Sequence, residues 1–449
     1  MAGIAGIAKK DAVRSVSEML DKMHHRGRAG RLVFETGGVT LGVVWNESES
    51  AIVKSELALN RVGYNNGPGH LARAEVHKGT LHMYRDELGV APLYYGRDGQ
   101  GNICFSSEVK ALLPLTPAIT ELPPGKNFDG YKLISYFKLN PGPLSDENPD
   151  VMARRLRRHL DEAVDVCIRS ENIGSWLSGG LDSSTICALA AAHLKKLKTF
   201  AAGLKGAPDL EFAREVAHHV RAEHHEVIIT EDAMIRSLPK VIYHLESFDA
   251  LLVRSSITNF LVAERASDHV SQVFSGEGGD ELFAGYEYLK SIPETDIEAE
   301  LVKITCNLHN TALQRVDRSA SAHGTIAHVI FANPDVVRFA FTIPVRYKIK
   351  NNIEKWILRR AMKGALPDRI IDRPKVKFWE GAGVKDIISV YADKQIKDSA
   401  FQKERRLPNG WIINTKEELL YYRIFKDHFG KDINLSWMGR TERSPVTKL

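Results

Sequence analysis

Seven residues near the middle of the chain, SGGLDSS (178–184), combine two glycines, three serines and one aspartate between two apolar segments. The preceding segment is typical of a strand and the following one of a helix, so the turn presents unpaired backbone N–H groups at a helix N-terminus. Serine hydroxyls donate to phosphate oxygens, and an aspartate beside a phosphate needs a divalent cation between them. The turn lacks the lysine of a Walker A loop, but it predicts a phosphate site with a metal ion. A serine-capped helix start is the alternative interpretation.

A second turn of this kind follows another apolar segment, in VFSGEGGDELFAG (273–285). In an open parallel sheet, ligands bind where the carboxyl ends of the strands meet. We therefore expect the two turns to face one another, with Asp182 and Asp280 sharing a metal ion.

The elements that position these turns differ between the two ends of the chain. Residues 1–140 contain short strands, such as 39–44, 81–84 and 93–95, between clusters of turn-forming residues, which predicts a mostly antiparallel domain. The turn-rich stretch 139–149 predicts a linker.

Beyond the linker, helical and apolar segments alternate, which predicts a parallel sheet covered by helices on both faces. The predicted elements are a helix within 151–169, a strand before the SGGLDSS turn, a helix after it, a strand at 198–204, a helix at 210–221 and a strand at 225–229. Two domains, 1–140 and 150–449, are the expected division of this α/β chain.

The composition is that of a globular protein, with 43% hydrophobic and 26% charged residues. No apolar run approaches the ~18 residues that span a bilayer, so no membrane partner is predicted. The net charge of +5 is spread over both halves, which argues against nucleic acid as a partner. Four widely separated cysteines form no CxxC pair, which argues against disulfides and zinc and predicts a cytoplasmic location.

Longer motifs carry a family resemblance. SGGLDSS resembles the pyrophosphate-binding loop of the N-type ATP pyrophosphatases, and with SGEGGDELFAGY (275–286) and VIYHLESFD (241–249) it resembles the synthetase domain of asparagine synthetase. Further matches to that domain are APDLEFAREVAHHV (207–220), EHHEV (223–227), LQRVDR (313–318), EKWILRRA (354–361) and RPKVKF (373–378). The N-terminal part resembles the family's glutaminase domain through GIAGI (3–7), HHRGRAG (24–30), RDELGVAPLYYG (85–96), FSSEVKALL (105–113) and LPPG (122–125).

The resemblance implies an N-terminal antiparallel-sheet domain like the Ntn hydrolases, followed by a parallel-sheet ATP pyrophosphatase (PP-loop) domain. It implies an ATP- and Mg²⁺-dependent ligase that adenylates a carboxylate, that of the aspartate side chain first, and transfers ammonia or an amine to it. AMP and pyrophosphate would be released. The partners implied are these small molecules, and a homodimer is left open.

The resemblance also assigns site residues. Asp182 and Asp280 would hold Mg²⁺. The nucleotide-binding positions are Leu177, Ser178, Gly179, Gly180, Leu181, Asp182, Ser183, Ser184, Ala202, Ser275 and Gly276. Of these, Leu177 and Ala202 are equally explained as core residues.

Three more residues carry roles with alternatives. Lys375 matches the catalytic lysine that stabilises the α-phosphoryl group, with Lys377 as a competitor. Glu277 matches the acid tied to the acyl-adenylate and the attacking amine, and an ion pair between Glu277 and Arg254 is the structural alternative. Arg254 is a candidate clamp for the substrate carboxylate, or one half of a structural ion pair.

The sequence departs from the family pattern in three places. Ala2 stands where glutamine-using members carry a cysteine nucleophile, and no glutamine-binding Asn-Gly-Glu-Ile-Tyr-Asn segment is recognisable, residues 65–67 being the nearest. Residues 326–333 replace Glu-x-Arg-Val-Pro-Phe-Leu-Asp next to the acceptor side. We therefore expect a degenerate glutaminase-like domain. A ligase for another carboxylate, such as a β-lactam-synthetase-like enzyme, and a catalytically silent nucleotide-binding paralogue are the alternative functions.

Overall fold

The computed structural model describes residues 2–65, 67, 69–375, 381–384, 386–430 and 433–441. Lys377, the predicted competitor of Lys375, lies outside the described residues, as does Asn66 of the 65–67 segment. The strands are β1 Gly3–Ile7, β2 Gly30–Thr36, β3 Val39–Trp45, β4 Arg61–Asn65, β5 Leu71–His77, β6 Thr80–Arg85, β7 Tyr94–Arg97, β8 Ile103–Ser106, β9 Ile119–Glu121, β10 Lys126–Phe128, β11 Leu133–Ser135, β12 Ile173–Trp176, β13 Lys198–Leu204, β14 Glu223–Ile229, β15 Gln272–Ser275 and β16 Ile326–Val329.

The helices lie mainly in the second half of the chain. They are α1 Val13–Asp21, α2 Ser50–Leu57, α3 Val109–Leu112, α4 Pro149–Asp165, α5 Leu181–His193, α6 Pro208–His219, α7 Glu231–Leu245, α8 Ala250–Ser267, α9 Gly279–Leu282, α10 Glu294–Cys306, α11 Ala312–Ala322, α12 Pro334–Ala340, α13 Val345–Lys348, α14 Trp356–Met362, α15 Asp368–Ile371, α16 Ile387–Gln395, α17 Asp398–Glu404 and α18 Lys416–Phe429. In the described part of the chain, none of them has the length and apolarity needed to cross a membrane.

The first part of the chain folds into two antiparallel sheets, as the short strands and turns predicted. Their strand orders are β2-β3-β1-β8-β7-β9 and β11-β10-β6-β5-β4, and β1 and β3 contact β4 between the sheets. In β6, buried and partly exposed residues alternate, so one face of this strand packs against the core. The central β1 is buried along its whole length, which suits its small and apolar sequence GIAGI.

The second part is built on a parallel sheet with the order β14-β13-β12-β15-β16. Its central strands β12 and β15 are fully buried, as is typical of a parallel sheet, and this includes their polar residues Ser175, Gln272 and Ser275. The predicted strand at 198–204 is confirmed as β13, and the predicted helix at 210–221 begins two residues earlier at Pro208, a favoured first position of a helix.

Neighbouring strands bring the two Gly-rich turns together. Ile173 to Ser175 of β12 pair in parallel register with Gln272 to Phe274 of β15. The carboxyl ends of these strands therefore lie side by side, and the turns that follow them share one edge of the sheet. The predicted facing arrangement is confirmed.

Candidate active site

A cavity of about 1130 Å³ opens at this edge of the parallel sheet. The ends of β12 and β15 and the middle of β13 form part of its wall. Other parts of the wall come from α8, α10, α11 and the segment before α14. Its lining includes Leu177, Ser178, Gly180, Leu181, Asp182, Ser183, Ala202, Ser275, Gly276, Glu277, Asp280 and Lys375. Most of the residues that the sequence selected therefore meet in one place.

The SGGLDSS turn is held by its own serines. The hydroxyls of Ser178 and Ser183 lie 3.1 Å apart, and the Ser183 hydroxyl also lies 3.1 Å from the carbonyl oxygen of Gly180, to which it donates. The N–H of Ser178 donates to Ser183 Oγ at 3.2 Å. These bonds fix the turn at the start of α5, where backbone N–H groups point away from the helix.

Helix α6 supports the turn from one side. Gly179 has a φ of +70°, and a Cβ on it would lie 2.4 Å from Phe212 Cβ, so the position needs glycine. The Arg373 guanidinium stacks on the Phe212 ring at 3.9 Å and donates to the Ser178 carbonyl at 3.4 Å. The Nη2 atom of Arg373 lies 2.5 Å from Asp209 Oδ1. Gly179 thus shapes the turn without lining the cavity.

Three other residues predicted to bind the nucleotide are buried in the structure. Leu177 and Ala202 are buried and also line the cavity, so the core and lining interpretations both describe them. Ser184 is fully buried, does not line the cavity, and its hydroxyl bonds to no other described residue.

Two aspartates and two lysines form a tight cluster where the turns meet. The Lys355 ammonium binds Asp182 Oδ2 and lies 2.6 Å from Asp280 Oδ1. The Lys375 ammonium lies 2.6 Å from Asp280 Oδ2. Lys355, at the start of α14, has an almost fully buried side chain. A cation of the chain itself therefore lies between the two aspartates that the sequence assigned to a metal.

The pKa values of the two aspartates are shifted in opposite directions within this cluster. Burial raises the pKa of Asp182 above its ordinary value, although Lys355 opposes the shift. Burial would also raise the pKa of Asp280, but Lys355 and Lys375 outweigh it and lower this pKa. For Lys375, burial would lower the pKa, but Asp280 and Asp182 raise it above the ordinary value. Asp280 and Lys375 are therefore both charged at neutral pH.

Glycines allow the two turns to touch. A Cβ on Gly279 would lie 2.6 Å from the Asp182 carboxyl carbon, and a Cβ on Gly276 would lie 2.6 Å from the Ser183 nitrogen. A Cβ on Gly285 would lie 2.0 Å from Asp280 Oδ1. Gly276 and Gly279 therefore allow contact between the turns, whereas Gly285 makes room for Asp280 and Lys355.

The aspartate pair fits a Mg²⁺ ion that takes its other ligands from a nucleotide. Asp182 Oδ1 is buried and accepts no hydrogen bond from the described residues. Within those residues, no group of three His, Cys, Asp or Glu side chains could hold a metal ion by itself. Mg²⁺ in phosphate sites is commonly held by one or two carboxylates plus the phosphates, which matches this donor set.

The segment that carries Lys375 is anchored by the EKWILRRA motif. Glu354 accepts the Lys375 N–H at 3.2 Å and pairs with Arg359 at 2.5 Å. Arg359 also donates to the Arg373 carbonyl at 3.0 Å. These contacts hold the Lys375 backbone at the cavity wall.

The acidic residue Glu277 pairs with an arginine that the sequence did not select. Arg315 Nη2 of α11 lies 2.6 Å from Glu277 Oε1, and Arg315 Nη1 donates to Ser255 at 2.8 Å. Arg254, by contrast, lies outside the cavity lining and binds Glu417 of α18 through two nitrogens, one of them at 3.0 Å. The interpretation of Arg254 as one half of an ion pair holds, but its partner is Glu417 and the predicted pair with Glu277 is wrong.

The substituted segment 326–333 does not line the cavity, contrary to the expectation that it borders the acceptor side. It forms β16 and a short 3₁₀ helix, and its residues are buried. A Cβ on Gly278 would lie 3.0 Å from Phe331 Cβ, so the segment packs behind the second turn. Ile326 stands in place of the acid and the buried His328 in place of the arginine, so the segment belongs to the core.

The N-terminal position offers no nucleophile. Ala2 is fully buried, and its backbone nitrogen donates to Glu49 Oε1 at 2.6 Å. The other Glu49 oxygen accepts the Asn46 N–H at 3.2 Å. A methyl group and a hydrogen-bonded carboxylate therefore occupy this region.

Comparisons with known proteins agree with the geometry. The sequence profile of asparagine synthase matches residues 155–300 and 293–444, and that of a glutamine amidotransferase domain matches residues 68–141. The chain belongs to the asparagine synthase family. It is 34% identical to asparagine synthetase [glutamine-hydrolyzing] 2 of Oryza sativa subsp. japonica over 78% of this chain and 63% of that protein.

Two further relatives give the same answer. A probable asparagine synthetase [glutamine-hydrolyzing] of Schizosaccharomyces pombe is 33% identical over 80% of this chain and 72% of that protein. Asparagine synthetase B [glutamine-hydrolyzing] of Escherichia coli K12 is 33% identical over 77% and 67%. The chain thus spans 63% to 72% of the length of these relatives.

Lys355 and Arg315 of the candidate site were missed from the sequence although their motifs were recognised. Lys355 lies in EKWILRRA and Arg315 in LQRVDR. The signal was a basic residue inside a family motif, but each motif contains other basic residues. The fold alone shows which of them reaches the cavity.

Proposed function

We propose that the protein is an ATP-dependent carbon–nitrogen ligase that adenylates a carboxylate and transfers ammonia or an amine to it, releasing AMP and pyrophosphate. One observation carries the proposal: the SGGLDSS turn, the aspartate–lysine cluster and the Glu277–Arg315 pair open into the same cavity. Aspartate is the first carboxylate to test, because the relatives named above are asparagine synthetases.

The turn supplies the phosphate end of the proposed site. Backbone N–H groups at the start of α5 and the hydroxyls of Ser178 and Ser183 would bind the β- and γ-phosphates. Leu177 and Ala202 would pack against the base, with Ser275 and Gly276 beside the ribose. Asp182 and Asp280 would hold Mg²⁺, which when bound neutralises phosphate charge and stabilises the leaving pyrophosphate.

Two displacements complete the proposed reaction. A carboxylate oxygen of the substrate attacks the α-phosphorus and pyrophosphate leaves. The amine nitrogen then attacks the acyl carbon, and AMP leaves with that carboxylate oxygen. Lys375 would stabilise the negative charge that develops on the α-phosphoryl group in the first step. Its raised pKa keeps it cationic for this role.

Arg315 replaces Arg254 as the proposed clamp for the substrate carboxylate. Its guanidinium lies in the cavity wall, whereas that of Arg254 is engaged by Glu417. Glu277, 27% exposed, would orient the attacking amine or take its proton.

Free ammonia or a substrate amine is the proposed nitrogen source. Ala2 supplies no thiol, and the carboxylate of Glu49 is held by two backbone N–H groups. The N-terminal sheets would then help to exclude water from the acyl-adenylate, since water competes with the amine.

A second candidate is a ligase for a larger carboxylate, including one that carries its own amine as in β-lactam synthetases. The cavity is also lined by Tyr286 and Tyr288, whose stacked ring centroids lie 6.0 Å apart, and by Lys303 and Asn307. This part of the lining supports a substrate longer than aspartate.

The test is product analysis with ATP, Mg²⁺, ammonium and a panel of amino-acid carboxylates that begins with aspartate. We expect AMP and pyrophosphate in equal amounts, and no replacement of ammonium by glutamine. Asp182→Asn controls for contaminating enzymes and should be inactive. Formation of ADP and phosphate would refute the mechanism. Nucleotide binding without turnover would favour the catalytically silent paralogue. Release of glutamate from glutamine would refute the proposed nitrogen source.

A further inference from the structure

Charged residues from four family motifs, none of them residues that the proposed function uses, meet in one buried group that we call the interface cluster. It consists of Arg26 from HHRGRAG, Glu108 and Lys110 from FSSEVKALL, Glu246 from VIYHLESFD, and Asp317 and Arg318 from LQRVDR. The first three residues come from the part of the chain with the antiparallel sheets, and the last three from the part with the parallel sheet.

One half of the interface cluster ties Arg26 to helix α11. The Arg26 guanidinium binds the Asp317 carboxylate through two nitrogens, one of them at 3.2 Å, and its Nε binds Glu108. Glu108 in turn lies 2.9 Å from Arg318 Nη1. Two neighbouring residues of α11 are therefore held by the N-terminal part.

The other half is centred on Glu246 at the end of α7. Glu246 accepts the N–H groups of Val109 and Lys110 at 3.0 Å and 2.7 Å, and pairs with Arg318 at 2.9 Å. The Lys110 ammonium lies 2.5 Å from Glu108 and 3.2 Å from Glu246. Every carboxylate of the cluster thus contacts at least two donors.

The interface cluster is buried and balanced in charge. Its six side chains are at most 3% exposed and comprise three cations and three anions. His25 lies 3.1 Å from Glu108, and burial lowers its pKa, so it adds no charge at neutral pH. Buried charges gain little stability over well-packed apolar side chains, and in some proteins they fix a specific geometry instead.

Helix α11 connects the interface cluster to the candidate active site. Arg315 and Arg318 are three residues apart, which places them one turn apart on neighbouring faces of the helix. Arg315 lies 2.8 Å from Ser255 and 2.6 Å from Glu277. Asp317 and Arg318 of the same helix belong to the interface cluster. A shift of α11 would therefore move Arg315 relative to Glu277.

We propose that the interface cluster positions Arg315: Arg26 and Glu108 hold α11 so that Arg315 meets Glu277 in the acceptor part of the cavity. The glutaminase-like part then acts as a support for the synthetase site, with Arg26, Glu108 and Asp317 as positioning residues. This inference rests on the proposed function, because it assigns Arg315 to the substrate carboxylate.

The test uses Arg26→Lys in the full chain, which keeps the charge and removes the two-nitrogen contact with Asp317. We expect the KM for the carboxylate to rise about tenfold with the KM for ATP changed less than about twofold, because a misplaced clamp affects only one substrate. Hydrogen exchange of the α11 backbone amides should become faster. The double variant Arg26→Gln/Asp317→Asn, which removes both charges, carries the same expectations and replaces Arg26→Lys if that variant does not fold.

Glu56→Gln is the matched control. Glu56 is also buried and lies 2.6 Å from Arg61 and 2.9 Å from Arg73, all within the antiparallel part, so its loss should leave the carboxylate KM and α11 exchange unchanged. Unchanged carboxylate KM and α11 exchange in a folded Arg26 variant would overturn the inference. If the unmodified protein forms no pyrophosphate, the proposed function fails, and exchange of the α11 amides alone decides whether the interface cluster holds this helix.

Discussion

Lys355 changes how the aspartate pair is understood. From the sequence, Asp182 and Asp280 were assigned to one shared metal ion beside a phosphate. Two buried carboxylates also repel each other unless a cation lies between them. The Lys355 ammonium already bridges them, and Lys375 adds a second cation. The two carboxylates are therefore held close together by lysines of the chain itself.

Lys375→Ala tests the charge that is proposed to act on the α-phosphoryl group. Loss of a group that stabilises transition-state charge lowers kcat by about 10²-fold or more, whereas ATP binding should change little. Pyrophosphate release and ATP binding are the two measurements. The exposed Lys363→Ala is the control. A loss of ATP affinity as large as the loss of kcat would contradict a transition-state role.

Arg315→Lys and Arg254→Lys separate the clamp from the structural pair. Lysine keeps the charge but lacks the planar fork that binds a carboxylate with two nitrogens. We expect Arg315→Lys to raise the KM for the carboxylate about tenfold or more. Arg254→Lys should instead lower the melting temperature by loosening α18 from α8, with the KM unchanged. The opposite pattern would restore Arg254 as the clamp.

At the scale of single residues, the sequence predicted which side chains line the cavity better than it predicted their ion-pair partners. Asp182, Asp280, Glu277 and Lys375 all line the cavity, because motif order places them at the carboxyl edge of the sheet. The ion-pair partners could not be predicted, because Lys355 lies 173 residues from Asp182 along the chain. No local pattern specifies which arginine of α8 or α11 turns towards the cavity.

Among elements, contact between the two turns is the feature on which the site depends. Gly279→Ala tests it, because the added Cβ would lie 2.6 Å from the Asp182 carboxyl carbon and would push the turns apart. We expect at least about a tenfold loss of kcat, since small displacements of catalytic groups are costly. The loss of kcat is measured by the rate of pyrophosphate release. Gly99→Ala, in an open surface turn, is the control, and equal activity of the two variants would show that the turns need no contact.

The elements themselves were largely predictable. The mainly apolar run of β13 was predicted with its observed bounds, whereas the start of α6 at Pro208 was placed two residues too late. The segment 326–333 was not predictable, because the family pattern there contains charged residues and suggested a wall of the cavity. In this chain the replacements are buried, and only packing shows that they lie behind the turn.

Across the whole molecule, the two parts also meet through a pair of neutral histidines. His70 and His328 stack with their ring centroids 5.9 Å apart, and His328 Nε2 lies 2.7 Å from Gln272. Burial lowers the pKa of His70 to about 4 and that of His328 well below its ordinary value. Both rings must take up a proton when the protein unfolds in mild acid.

The sign of the resulting pH dependence follows from linkage. Between pH 6.5 and pH 4 these two rings bind more protons in the unfolded chain than in the native protein, so their contribution to the free energy of unfolding falls as the pH falls. For His70 alone this loss is about 2 kcal/mol between pH 7 and pH 5. Denaturant unfolding of His70→Gln should show a shallower dependence than the unmodified protein. Equal slopes would contradict a neutral, buried His70.

The most direct test of the account follows one oxygen atom. The carboxylate accepted in product analysis, aspartate first, is labelled with ¹⁸O and incubated with ATP, Mg²⁺ and ammonium. If the carboxylate attacks the α-phosphorus and AMP leaves when the amine arrives, mass spectrometry will show one ¹⁸O in each AMP and none in pyrophosphate. Label in inorganic phosphate, with ADP as the nucleotide product, would contradict adenylation and the assignment of this cavity to it.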